Sequence, residues 1–583
     1  MMREAEAHFV AKRFADSLRL IQQILLRVPG HPAVLHLQGL VFSGMGELEA
    51  ARRSLEAARR GLPRDPQIAN NLGNLLGRMG ETVAALAAYD AAIAADSRFG
   101  PARLHRAMML DELGRYDEAR DELAALVQIQ SPTANSLLVA ASVERNSGNL
   151  RSAGDKLDQI LAGDPLHRVA GHGRARIATE LGEPDAGERY RRALRAYPDD
   201  RDLLIGYIAA AESEEARRDV LERVAALLAA DPAWREGHRA LSTALWEQGE
   251  QQAFAATYES AIALRPNDAG LWKDYVEALG KADEFAAAAE VCVRAQAATN
   301  DLAFAAGAFG FYSASGNLED AHALLERLPA DLLRPVAVAK HRLRQRDPAA
   351  AEPLLARATS EDPDDIEAWA LRGIAWTLLD DPRFDWLNGQ DGMIGDDELP
   401  VSEGEISSIA ERLRELHGRS TTCIGQSLRG GTQTAGNLFD RLEPEIALLR
   451  TKLHQAVERY RGMLPPSDQS HPILKHRDSK LGFAGSWSIR LTEGGFHVQH
   501  MHPKGILSAA SYWVVPSPTM KDSQAGWLEI GGSPAYLGLD MQPLRRIEPK
   551  VGRLVLFPST LHHGTRPFPA GERISVAFDI VAK

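Results

Sequence analysis

The sequence predicts a multidomain chain in which a long all-α solenoid is followed by a β-rich C-terminal domain with flanking helices. A 34-residue period runs through the N-terminal part of the chain, and periods of that length build stacked helix-turn-helix arrays. After about residue 380 the period is lost. Beyond residue 480 the apolar residues alternate or cluster in short runs, as in VGRLVLFPS and RISVAFDIV, which is the pattern of strands rather than helices.

The period is the signature of tetratricopeptide units. Gly39, Gly73, Ala107 and Ala141 are 34 apart, as are Ala51, Ala85, Ala119 and Ala153, and as are Leu55, Tyr89, Leu123 and Leu157. Small residues at the first two positions let paired helices approach, and the large residue fills the space between them. Pro63 and Pro165 close their units, and Pro198, Pro232 and Pro266 continue the spacing where proline can end a helix. Weaker units reach Trp369 and Gly373, so residues 1–380 are expected to form the solenoid, with 381–480 as connector and flanking helices and 481–583 as the β-rich core. A solenoid of this kind presents a concave groove suited to an extended peptide or a partner helix.

At 583 residues the chain exceeds one ordinary domain. Its 67 basic and 79 acidic residues give a formal charge of −12 without a charged tail, so nucleic acid is not an expected partner. Cys292 and Cys423 are the two cysteines and form no CxxC pair, which argues against a disulfide framework and suits a reducing compartment. The opening MMREAEAHFVAKRF lacks the apolar stretch of a secretory leader, and no apolar run reaches membrane-spanning length. A soluble cytoplasmic protein without a membrane partner is the expectation.

In the connector, DDPRFDWLNGQDGMIGDDELP reads as loop-rich. ISSIAERLRELHG and NLFDRLEPEIALLRTKLHQAVERYRGML read as helices. Between them GQSLRGGTQT, residues 425–434, lacks the Lys-Ser/Thr ending of a phosphate-binding loop and reads as a glycine-rich turn joining two helices.

The chemistry-bearing residues gather near the C-terminus. In FHVQHMHPKG, a strand would carry the i and i+2 residues His500 and His502 on one face, presenting two imidazoles to one metal. His563, after the apolar run VGRLVLFPS, is the candidate third imidazole. Ten residues further, Arg573 lies in an apolar strand with Ser575 on its face. A permanently charged planar guanidinium beside a hydroxyl suits a bidentate grip on a carboxylate, and burying it demands an anionic partner. His497 has the opposite strand parity to His500 and reads as structural or as a support to the ligands.

This arrangement resembles the Fe(II)- and 2-oxoglutarate-dependent oxygenases, whose pattern runs His-x-Asp, a distal His, then an Arg about ten residues later. Phe496, the Gly-x-Phe residue four before the first ligand, fits as well, and the offset from Phe557 favours His563 over His562 as the distal ligand. The family's acid is replaced here by His502, so the usual two-His-one-carboxylate set becomes three-His or two-His plus water. QSLRGGTQT, GSWSIRL, GFHVQHMHPKG, LVLFPS and HGTRPF narrow the resemblance to a subfamily carried behind tetratricopeptide repeats, over residues 375–583.

The resemblance implies a double-stranded β-helix (jelly roll) with Fe(II) held by His500, His502 and His563, with no catalytic side chain beyond the metal ligands. It also implies that Arg573 and Ser575 hold the far carboxylate of 2-oxoglutarate. Tyr512 and Ser508 are further cosubstrate candidates, although Tyr512, like Trp487 and Trp513, suits a sandwich core equally well. Arg429, Thr432 and Gln433 would come near the pocket as a lid or substrate loop. The implied reaction consumes O2, converts 2-oxoglutarate to succinate and CO2, and hydroxylates a protein or peptide brought by the repeats. Aspartyl and asparaginyl β-hydroxylases join the same two parts and lack the usual acidic ligand. The rival expectations are a non-catalytic tetratricopeptide adaptor with a degenerate β-helix, and a cupin-type three-His enzyme that does not use 2-oxoglutarate.

Overall fold

A computed structural model describes residues 1–250, 253–418, 425, 427–434, 436–516 and 524–582; Cys423 and Gln426 therefore lie outside the described residues. The chain divides into two compact units, Met1–Pro198 and Asp199–Lys583.

The first unit is helical throughout, from Met2–Val10 to Ala186–Ala196. Its packing follows from the 34-residue pattern. A Cβ on Gly39 would lie 2.6 Å from the Leu55 side chain, and one on Gly73 would lie 2.5 Å from Tyr89. The small residue of each first helix is thus the seat for the large residue of the second. Ala51, Ala85, Ala119 and Ala153 are fully buried at the same interface. A second 34-residue series sits in the turns: Gly46, Gly80, Gly114, Gly148 and Gly182 all have φ between 70° and 86°, a left-handed conformation that ends the first helix of each pair cheaply only at glycine.

The second unit begins with further helix pairs, from Arg201–Ala210 to Ile366–Leu378, and continues into the β domain. Nine strands follow among the described residues: β1 (Gly395–Glu398), β2 (Leu428–Gln433), β3 (Leu481–His497), β4 (Leu507–Val514), β5 (Leu528–Ile530), β6 (Arg545–Ile547), β7 (Arg553–Pro558), β8 (His563–Thr565) and β9 (Arg573–Ala582). They form an antiparallel six-stranded sheet in the order β1-β7-β4-β9-β3-β2 and a three-stranded sheet in the order β6-β5-β8. This is the expected jelly-roll sandwich behind an α-solenoid.

Helices Glu403–His417 and Pro444–Met463 cover the outer face of the larger sheet. The first starts at a capping box in which Ser402 and Glu405 exchange side-chain and backbone hydrogen bonds. Ile409, Leu413, Leu449 and Leu453 pack there against Ile574, Val576, Phe578 and Ile580 of β9. Between the sheets, Tyr512, Val555 and Phe557 meet Leu528 and Ile530. The β domain also seats on the last repeats: Leu537 packs among Leu343, Leu355 and Leu371, and Arg344 Nε donates to the Tyr536 carbonyl at 2.8 Å.

Two local expectations change. The connector contributes β1, which pairs Gly395–Glu398 with Leu556–Arg553 at the edge of the large sheet. Residues 428–433 form a strand on the opposite edge instead of a turn between helices. The glycines still matter there: the register shifts between Arg429 and Gly431, and a Cβ on Gly431 would lie 2.3 Å from the Arg490 carbonyl oxygen. The glycine pair admits a bulge against β3 that larger residues would block.

Candidate metal centre

β9 explains how the site is organised. Its odd-numbered residues Arg573, Ser575, Ala577 and Asp579 line a cavity of about 790 Å³, while its even-numbered residues enter the helix-covered core. One strand therefore serves an apolar layer and a polar site through the two-residue alternation of its side chains.

The histidines come together by a different route from the one the spacing suggests. β3 ends at His497, so His500 and His502 do not lie in a continuous strand. Instead His500 pairs with His563 in an isolated antiparallel bridge; the His500 amide donates to the His563 carbonyl at 2.9 Å and the reverse bond is 2.8 Å. Their rings are 4.3 Å apart, and the His502 ring completes a triangle at 5.0 Å from His500 and 5.1 Å from His563. One ring nitrogen from each of the three lies within 4.8 Å of the others, close enough to hold a single metal ion. Adjacent His562, also buried, is not part of that group.

The partners of the three rings determine which nitrogen faces the centre. His500 Nδ1 is 2.8 Å from the Val498 carbonyl, and His563 Nδ1 is 3.4 Å from the Leu561 carbonyl. His502 Nδ1 is 2.6 Å from Asp579 Oδ1. Each of these oxygens accepts, so each Nδ1 carries a proton, and in the neutral ring that leaves the lone pair on Nε2. Burial, followed by neighbouring His502, pushes His500 down to about 3. Burial and His500 hold His563 well below the ordinary histidine range. Neutral, oriented imidazoles are what a divalent late transition metal requires.

Arg573 is 1% exposed. Its Nη1 donates to the Gly526 carbonyl at 2.8 Å and its Nη2 to Thr565 Oγ1 at 3.2 Å, while Nε has no partner. Among the described residues no carboxylate forms an ion pair with it. Burial lowers its pKa from the ordinary arginine value, the direction expected for a cation taken from water. Tyr512 sits beside it, with its ring centre 6.0 Å from the guanidinium carbon and its buried hydroxyl unpartnered. Burial pushes that phenol up to about 12. Among the described residues the site thus combines three converging nitrogen donors with a buried cation that lacks an anion and a phenol that lacks a partner. That donor set fits a divalent metal accompanied by a small carboxylate ligand.

The other sequence candidates separate. Ser575 and Tyr512 face each other across the β4–β9 register and both line the cavity. Ser508 does not line it, but hydrogen-bonds Ser559 at 2.9 Å and Asp579 at 3.3 Å. Arg429 and Gln433 border the cavity, and Arg429 reaches Asp283 of the repeats at 2.6 Å. Thr432 instead meets His417 Nδ1 at 2.9 Å. His497 stacks on His500 with ring centres 5.7 Å apart, and its Nδ1 is 2.9 Å from Ser427 Oγ. Sequence reasoning missed Asp579, although its parity with Arg573 and Ser575 marks the shared face. It also missed Glu367 and Tyr536, which join Asp283 in bordering the cavity.

The comparisons with known proteins agree with this architecture. A family model described as "Putative 2OG-Fe(II) oxygenase" matches residues 485–579. A tetratricopeptide-repeat model matches residues 36–98, 70–135 and 336–382. The chain thus combines a segment similar to the putative 2OG-Fe(II) oxygenases with segments similar to tetratricopeptide repeats. The matched segment, residues 485–579, contains all three histidines and the arginine described above.

Solved structures of repeat proteins match part of this chain at low identity. The C-terminal part of a TPR repeat-containing protein from Cytophaga hutchinsonii is 14% identical, covering 41% of this chain and 99% of its own, with a TM-score of 0.34. A tetratricopeptide repeat protein from Parabacteroides merdae is 19% identical over 42% of this chain and 98% of its own, with a TM-score of 0.35. YrrB, described as a TPR protein with an unusual peptide-binding site, is 18% identical over 31% of this chain and 95% of its own, with a TM-score of 0.27. No curated protein matches the chain.

Proposed function

We propose that the oxygenase-family domain is a 2-oxoglutarate- and Fe(II)-dependent dioxygenase that hydroxylates a protein or peptide recruited by the repeats. The observation that carries this reading is the presence, in one cavity, of three converging imidazoles and a buried guanidinium that has no carboxylate partner among the described residues. His500, His502 and His563 would hold the metal through Nε2. Arg573 would take the distal carboxylate of the cosubstrate, with Ser575 and Tyr512 as hydrogen-bonding neighbours. When bound, the metal and cosubstrate supply the oxidising equivalents for O2 activation. The residues of this chain orient the ligands, present one charge to the carboxylate, and keep bulk water away through the walls contributed by Trp487 and Ile489.

Repeat modules are protein-interaction surfaces, and Asp283, in a turn between repeat helices, and Glu367, in a repeat helix, border the same cavity as the histidines. A polypeptide substrate held by the repeats would therefore find the site nearby, with Arg429 and Gln433 on its path as substrate-loop residues. No helix among the described residues is long and apolar enough to cross a membrane. Residence in the cytoplasm, without nucleic acid or membrane as partner, belongs to the same proposal.

Anaerobic addition of Fe(II) and 2-oxoglutarate should produce a metal-to-ligand charge-transfer band. Peptides captured on the repeat region should then gain one oxygen only when both are present. The absence of a ligand carboxylate at position 502 favours a second reading, an adaptor whose β domain no longer performs the chemistry. A missing charge-transfer band together with no 2-oxoglutarate binding would establish that reading.

A further inference from the structure

A three-imidazole set differs from the two-His-one-carboxylate set in charge as well as in shape. Three neutral rings bring none of the negative charge that a ligand carboxylate places on a divalent cation. In this fold the charge is one residue shell away. Asp579 Oδ1 accepts from His502 Nδ1 at 2.6 Å, and both side chains are largely buried, at 12% and 14% exposure. The rings of His500 and His563 meet backbone carbonyls instead. Among the described residues, Asp579 is the carboxylate in contact with the triad.

Its own position is firmly set. Asp579 is paired through the backbone with Ser508 of β4 and Gly485 of β3, and Ser508 Oγ reaches Oδ1 at 3.3 Å. Ser508 in turn contacts Ser559 Oγ at 2.9 Å. Ser508, itself held by Ser559, thus donates to the same carboxylate oxygen that accepts from His502.

We infer that Asp579 is a positioning residue that replaces the missing ligand carboxylate: it orients His502, fixes the Nδ1–H form that leaves Nε2 for the metal, and supplies the site's nearby negative charge. The inference rests on the reading of His500, His502 and His563 as metal ligands. A carboxylate on the far nitrogen of a ligating histidine raises the donor strength of the ring and typically controls about 10–100-fold of metal affinity. It also explains why position 502 can be histidine here. An aspartate at 502 would face Asp579 across a buried contact, two like charges where one histidine now forms a hydrogen bond.

The test uses the full-length protein stripped of metal and titrated with Co(II), whose visible bands report the ligand sphere without any need for turnover. Asp579→Asn keeps the shape and removes the charge. It should weaken Co(II) binding by about 10–100-fold and shift the visible bands, with metal-free thermal stability close to that of the wild type. His502→Asp alone should bind Co(II) poorly, and adding Asp579→Asn to it should recover part of the affinity, because the repulsion is removed. A purely structural Asp579 predicts the opposite: lower metal-free stability, unchanged bands and no recovery in the double variant. Wild-type binding of one Co(II) with an Asp579→Asn affinity within about threefold of it would overturn the inference while leaving the triad intact. Failure of the wild type to bind Co(II) at all would overturn the triad, and this inference with it.

Discussion

Replacing Arg573 with methionine separates a binding role from a structural one, because the two predict opposite effects on the ligand-free protein. The guanidinium is 1% exposed and donates to the Gly526 carbonyl and to Thr565 Oγ1. Removing a donor from each of these acceptors costs about 1–3 kcal/mol apiece. Against that stands relief from burying a cation that has no carboxylate partner among the described residues, an effective penalty of about several kcal/mol. Methionine fills much of the same space with an apolar chain, so the ligand-free protein should stay within about 2 kcal/mol of wild type. In the ligand-bound state nothing offsets the loss. Truncating one partner of a buried charge pair costs about 2–5 kcal/mol, or roughly 30- to 4,000-fold in the dissociation constant for 2-oxoglutarate. Arg573→Lys should fall between the two, since a point charge lacks the planar fork. Calorimetric titration with 2-oxoglutarate and thermal denaturation without it measure the two quantities separately. The reasoning fails if the methionine variant binds 2-oxoglutarate within about threefold of wild type. It also fails if the ligand-free protein loses more than about 4 kcal/mol, which would make Arg573 a structural strut.

Further outcomes follow from the same structure. His417 is 4% exposed between Thr432 and Ser488, and burial, then Arg490, pushes it down to about 4 from 6.5. A histidine held neutral in the fold stabilises fully above its unfolded value and loses that contribution as pH falls toward the folded one, so about 3 kcal/mol should disappear between pH 6.5 and 4. His417→Gln, which cannot titrate, should show a correspondingly flatter acid limb in denaturant melts. Gly431→Ala would place a Cβ 2.3 Å from the Arg490 carbonyl; a loss of about 2 kcal/mol or more, with faster amide exchange along Leu428–Gln433, is expected, and wild-type stability would show that the bulge can relax. Arg429→Ala breaks an ion pair whose side chains are 41% and 57% exposed, so stability should change by no more than about 1 kcal/mol. Turnover of the protein substrate should drop while 2-oxoglutarate affinity holds, and unchanged turnover would remove Arg429 from the substrate path.

The legible parts of the site share a property. Arg573, Ser575 and His563 could be found because a strand's alternation and a short spacing relate them along the chain. Asp579 lies on the same face of the same strand, yet within FDIV a single acid in an apolar run carried no mark of its partner, His502, which arrives from the segment between β3 and β4. His500 and His502 were found for a reason the fold replaces: they follow the end of β3, and a bridge to His563 brings them together. Residues 428–433 misled because a glycine pair reads as a turn, whereas a bulged edge strand uses the same absence of side chains for close approach to β3.

The sequence by itself determined the class of each part, helical repeats followed by a β-rich domain, since helix pairing in the repeats depends on small and large residues at a local 34-residue interval, and strand identity depends on local alternation. It also determined which residue types could carry metal and carboxylate chemistry. Only the tertiary structure decided which imidazole nitrogen faces the centre, that a carboxylate lies behind His502, that Arg573 is buried without a described counter-ion, and that Asp283 and Glu367 of the repeats border the cavity. Those properties depend on atoms brought together from β3, β4, β8, β9 and the repeat helices, and burial and hydrogen-bond partnership are set by that packing rather than by neighbours in the chain.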